Sequence, residues 1–215
     1  MPNPNLRHIV MVLDRSGSMQ AVKNDTEGGL TAFLEAQKEI AGDTRVSLYH
    51  FSTTYEPVYE NLALADVPEY TLEPRGNTAL LDAIGRTITA VKAQIKAMDV
   101  EERPGEVVLV ILTDGMENSS REYTLPEVKK LIEKRRAKGW QVVFLGADQD
   151  AITAAAGMGI GRETSLSYTA RMTGQSMSTV ARMMARGSAS GKYEFTDAER
   201  KAARGESEAD PKAQP

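Results

Sequence analysis

The segment Val10-Met11-Val12-Leu13-Asp14-Arg15-Ser16-Gly17-Ser18-Met19 constrains this chain most, because a run of strand-type apolar residues stops abruptly at a carboxylate. Side chains on extended backbone alternate between faces. Asp14, Ser16 and Ser18 can therefore point the same way from one short stretch. All three offer hard oxygen donors, which suit magnesium, calcium or manganese better than zinc. Gly17 lets the backbone turn between the serines without a Cβ in the way. The segment reads as one side of a metal site at the end of a buried strand.

Two distant segments supply further oxygens. Val107 to Leu112 is a second continuous apolar run, and it ends in Thr113-Asp114-Gly115. Such runs suit strands buried on both faces of a parallel sheet. Between the two runs, Arg75-Gly76-Asn77-Thr78 is a glycine-containing loop that opens into a helix. Thr78 stands where a helix-capping hydroxyl is expected, so it can act as a cap, a ligand or both. Ligands of doubly wound sheets sit beyond the carboxyl ends of the strands, where strand order reverses. If the Asp14 and Asp114 strands are neighbours there, all five oxygens converge. Taken singly, Ser-Gly-Ser reads as a turn, Thr78 as a cap and Thr-Asp-Gly as a strand ending; their joint order favours the metal.

Asp14-x-Ser16-x-Ser18, then Thr78, then Asp114 resembles the metal-ion-dependent adhesion site (MIDAS) of von Willebrand factor type A (VWA) domains, over roughly residues 6 to 186. The resemblance implies a Rossmann-like α/β fold: a doubly wound, mainly parallel sheet with one antiparallel edge strand and helices on both faces. It implies magnesium, with manganese or calcium as substitutes, held by Asp14, Ser16, Ser18 and Thr78, and by Asp114 directly or through water. It further implies binding of protein partners rather than catalysis. Two aspartates neutralise a divalent ion, and magnesium takes octahedral geometry at about 2.0–2.1 Å. An outward position then remains for an Asp or Glu carboxylate of a partner. Prokaryotic proteins similar to this family often work beside ATPases, and a partner of that kind is expected.

The opposing reading is an enzyme. Haloacid-dehalogenase-like phosphatases also use magnesium and an aspartate nucleophile at a strand end, which would make Asp14 the nucleophile. Their second aspartate, two positions on, supplies the general acid; Ser16 occupies that place here and cannot do so near neutral pH. A third reading is a scaffold with an empty site.

Composition narrows the setting. A chain of 215 residues can bury about 70% of its unfolded surface in one core. The net charge of −4 gives no basic stripe for nucleic acid. There are no cysteines, which excludes disulfides and thiolate chemistry and suits a cytoplasmic location. The polar start Met1 to Asn5 has no signal-type stretch, and no run approaches the ~20 apolar residues of a membrane span.

Alternating patterns predict strands at 6–13, 45–51, 55–62, 107–112, 141–145 and 163–167. Helices are expected at 22–40, with Gly28-Gly29 weakening its first half, and at 79–98, 125–138, 148–157, 174–186 and briefly 198–203. Ser52-Thr53-Thr54 is too short for a crossover, so the strands flanking it must be antiparallel. Thr124 and Thr173 are placed as helix caps. Residues 1–190 form one domain in this reading, and 191–215 a polar tail that is largely disordered. His8 and His50 read as structural, Met172, Met177, Met183 and Met184 as packing, and Arg171, Arg182 and Arg186 as solvent-facing. Asp82 is placed behind the ligands or as a cap. Glu117, Asn118, Ser119 and Ser120, with Arg15 and Gln20, are placed on the rim of the site.

Overall fold

The computed structural model describes residues 1–147 and 151–206. Among these residues six strands form one sheet: β1 (Asn3–Asp14), β2 (Asp43–Phe51), β3 (Tyr55–Ala63), β4 (Pro104–Thr113), β5 (Gln141–Ala147) and β6 (Ser165–Tyr168). Their spatial order is β3-β2-β1-β4-β5-β6. Among the described residues only the β2–β3 pairing is antiparallel, as the short connection after Phe51 requires; the other neighbours run parallel. Strand order reverses between β1 and β4, so the carboxyl ends of those two strands form the crevice where a ligand belongs.

Among the described residues six α-helices cover the sheet: α1 (Lys23–Lys38), α2 (Leu80–Ala97), α3 (Leu125–Arg136), α4 (Ala151–Gly157), α5 (Thr173–Ser190) and α6 (Asp197–Ala203). Strand alternation divides the core in two. Ile9, Met11 and Leu13, with Val108, Val110 and Leu112, pack under α1 and α5 against Leu30, Phe33, Met177 and Met184. Val10 and Val12, with Leu109 and Ile111, pack on the other face against Leu80, Ile84 and Ile88 of α2 and Val128 and Ile132 of α3. Apolar residues on both faces explain the unbroken apolar runs.

Several expectations need adjusting. Gly28-Gly29 does not interrupt α1, because a Cβ on Gly29 would lie 3.0 Å from the Gly174 Cα of α5; the glycine permits a close helix crossing. Thr173 opens α5 as its first residue, its hydroxyl donating to the Ala170 carbonyl at 2.7 Å, and does not cap it. Thr124 does form a capping box with Glu127. The polar-tail boundary at residue 190 is too early: Tyr193, Phe195 and Ala203 join the core, and Arg200 donates to the Ser165 carbonyl at 2.7 Å. Small and charged composition hid these anchors, which are too widely spaced to make a periodic pattern. The expected start of α4 at Asp148, and the tail from residue 207, lie outside the described residues. Among the described residues no helix is long and apolar enough to cross a membrane.

Candidate metal centre

Asp14 ends β1 fully buried, and the register that sets Leu13 beside Leu112 puts Asp14 next to Thr113. Its two carboxylate oxygens are both engaged. The Ser16 N–H donates to Oδ1 at 2.7 Å, and the Thr113 hydroxyl donates to Oδ2 at 2.6 Å. Ser16 Oγ lies 3.1 Å from Ser18 Oγ, and the Ser18 hydroxyl donates to Asp114 Oδ1 at 2.7 Å. A continuous chain of hydrogen bonds thus runs from the end of β1 to the residue that follows β4. Strand alternation carries only as far as Ser16, whose backbone is still extended; Ser18 lies in the 3-10 turn Gly17–Val22 and is turned toward Ser16 by it. Gly17 has a negative φ, and a Cβ there would meet only ordinary contacts; Gly76 is the glycine the loop requires, with φ +74° and Thr53 Oγ1 2.8 Å from where a Cβ would sit.

Thr78 joins this cluster from the third segment. Helix α2 starts at Leu80 and has no side-chain cap, so the Thr78 hydroxyl is not spent as one. It faces Gly115 so closely that a Cβ on that glycine would sit 2.9 Å from Thr78 Oγ1. All five sequence-predicted residues therefore lie in three segments at one end of the sheet. Among the described residues no group of three or more His, Cys, Asp or Glu side chains could hold a metal; here hydroxyls supply most of the oxygens. A cavity of about 730 Å³ opens at the opposite end of the sheet and shares no residue with the cluster.

The electrostatics suit a cation. Burial pushes the Asp14 carboxyl up to about 6, and the Asp114 charge adds to that, against the pull of the hydrogen bonds from Thr113 and Ser16. A buried carboxylate held near a second one is an unfavourable arrangement that a divalent ion relieves.

Two placements differ from expectation. Arg15 is not on the rim: it is 1% exposed and pairs with Glu56 at 2.8 Å, because it points to the β2–β3 turn. Glu117 turns inward to accept hydrogen bonds from Ser119 and Ser120, whereas Gln20 and Asn118 are exposed. Asp82 accepts from the backbone N–H groups of Arg121, Glu122 and Tyr123, and those bonds hold its carboxyl below the usual range despite burial. Thr113, which orients Asp14, is the residue sequence reasoning missed. Its signal was parity: Leu109, Ile111 and Thr113 share the face of Val10, Val12 and Asp14.

No protein-family model matches this chain. No curated protein matches it in sequence. Solved structures do match. The proximal thread matrix protein 1 of the mussel byssus superposes with TM-score 0.61 at 16% identity over 85% of this chain and 47% of that one. The ArnB paralog VWA2 from Sulfolobus acidocaldarius gives 0.56 at 18% identity, over 82% of this chain and 45% of that one. The vWF domain of the pili tip protein Mfa5 from Porphyromonas gingivalis gives 0.58 at 10%, over 91% of this chain and 99% of that one. The chain spans about half the length of the first of these proteins. Its fold is that of a von Willebrand factor type A domain.

Proposed function

We propose that this chain is a metal-dependent protein-interaction module. In this reading Asp14, Ser16, Ser18, Thr78 and Asp114 hold one divalent cation, magnesium first, with manganese or calcium able to replace it. A mussel byssus relative by fold has been solved with a zinc-occupied MIDAS motif, which supports a divalent ion at this position of the fold. The observation that carries the reading is the hydrogen-bonded chain from Asp14 through Ser16 and Ser18 to Asp114, with the Thr78 hydroxyl beside Gly115. A bound ion would supply a Lewis-acidic position, and a partner's Asp or Glu carboxylate is the hard anionic ligand that fits it. An acidic segment of an ATPase complex is a partner of that chemistry. Exclusion of water at such an interface strengthens the ion–carboxylate attraction.

The non-catalytic reading draws support from the residue two positions after Asp14. Ser16 stands where a phosphatase needs its acid. The test is capture of an ATPase-derived acidic peptide by immobilised protein, in magnesium and in chelator. Retention only in magnesium, lost with Asp14→Ala and when the peptide's Glu becomes Gln, is expected. Retention unchanged by chelator contradicts the proposal, and so does magnesium-dependent turnover of a phosphoester abolished by Asp14→Asn.

A further inference from the structure

The loop that follows Asp114 is fastened along the first turn of α2, the turn that Thr78 precedes. Glu117 accepts from the Ser119 N–H at 2.9 Å, the Ser120 N–H and hydroxyl at 2.7 Å each, and the Leu81 N–H at 2.9 Å. Asp82 accepts from the N–H groups of Arg121 at 2.8 Å, Glu122 at 2.9 Å and Tyr123 at 2.8 Å, and its own N–H donates to Ser120 Oγ at 3.0 Å. Between these anchors Asn118 grips Thr78 twice. The Thr78 N–H donates to Asn118 Oδ1 at 2.9 Å, and the Asn118 N–H donates to the Thr78 carbonyl at 3.0 Å.

Two bonds on the peptide groups either side of one Cα fix the direction of its Cα–Cβ bond. A threonine hydroxyl is a neutral, weak ligand, so its value to a cation depends on being held in place beforehand. Groups that orient metal ligands without touching the metal typically change affinity by about 10–100-fold. We propose that Asn118 is a positioning residue for the metal centre. It locks the Thr78 peptide so that the hydroxyl faces Gly115, the neighbour of Asp114, while Glu117 and Asp82 hold the loop that carries Asn118. The inference rests on the metal-binding reading above. It also gives Asn118 and Glu117 a role beyond lining the rim: they brace the backbone that carries the Thr78 hydroxyl.

The experiment is a calorimetric titration of manganese alone into wild type, Asn118→Ala, Thr78→Ala and the double variant, with thermal unfolding of each metal-free protein. Asn118→Ala is expected to bind manganese ~10-fold more weakly than wild type. In the Thr78→Ala background the same change is expected to matter less than about 2-fold, because Asn118 acts through the missing hydroxyl. Glu117→Gln, which keeps the side chain's size, is expected to weaken binding in the same direction. Equal manganese affinity in wild type and Asn118→Ala overturns this inference and leaves the metal site standing. So does a loss that is as large without Thr78 as with it. No manganese uptake by wild type overturns both readings together.

Discussion

Asp14 carries the conflict at the centre of the proposed site: a cation there would want its charge, and its own burial opposes it. Its carboxyl is pushed up to about 6 by desolvation and by Asp114, which corresponds to about 3 kcal/mol against the ionised form at neutral pH. An asparagine there can keep the Ser16 N–H bond through its oxygen. Its amide can donate to Thr113 Oγ1, whose own hydrogen then goes to the Gly115 carbonyl 3.0 Å away. Asp14→Asn is therefore predicted to abolish metal uptake while raising the Tm of the metal-free protein by roughly 5 °C, read by calorimetric titration and by thermal unfolding in chelator. A variant that unfolds earlier than wild type in chelator contradicts this account of the site. Gly115 is the complementary case. A methyl group there would sit 2.9 Å from Thr78 Oγ1, so Gly115→Ala is predicted to displace that hydroxyl and weaken manganese binding by ~10-fold.

At the scale of the elements, packing decides what sequence pattern leaves open. Both apolar runs were legible as central strands because a strand covered on both faces needs no alternation. The antiparallel edge was legible because a three-residue connection allows nothing else. Helix α1 was harder. Its double glycine looks like a break until α5 is seen to cross it, and Gln37 rather than Ala36 occupies the buried position near its end. Neither fact is local to the sequence of α1. The Gly29 contact has a measurable consequence: the Gly174 Cα is backbone and cannot yield, and Met177 Cγ lies 3.1 Å from the same point. Gly29→Ala is predicted to destabilise the protein by about 1–3 kcal/mol, measured by denaturant unfolding, with no change in metal affinity. A neutral effect would mean the two helices are not packed this closely.

For the molecule as a whole, the three segments of the site lie far apart in the chain and meet only because the sheet brings β1 and β4 together at the reversal of strand order. The candidate oxygens were legible residue by residue, since Asp, Ser and Thr at strand ends offer hard oxygen donors. Thr113 as the orienter of Asp14, and Asn118 as the clamp on Thr78, were not. Both act through contacts to residues 99 and 40 positions away, which no local pattern records. Stability toward acid is another whole-molecule property. His8 is 1% exposed, and burial, with Arg45 adding to it, lowers its pKa to about 4. The unfolded chain therefore binds more protons between about pH 6.5 and 4, so this group's contribution to stability falls as pH falls through that window, by up to about 3 kcal/mol. Burial also lowers His50, with the same sign. His8→Gln is predicted to flatten the pH dependence of unfolding across that range, taken as a difference from wild type so that other titrating groups cancel. The central claim, that three loops build one cation site, is tested most directly by counting bound manganese with electron paramagnetic resonance. One ion per wild-type chain and none with either Asp14→Asn or Asp114→Asn is the predicted result. A wild-type chain that binds no manganese, or aspartate variants that bind as much as wild type, would contradict it.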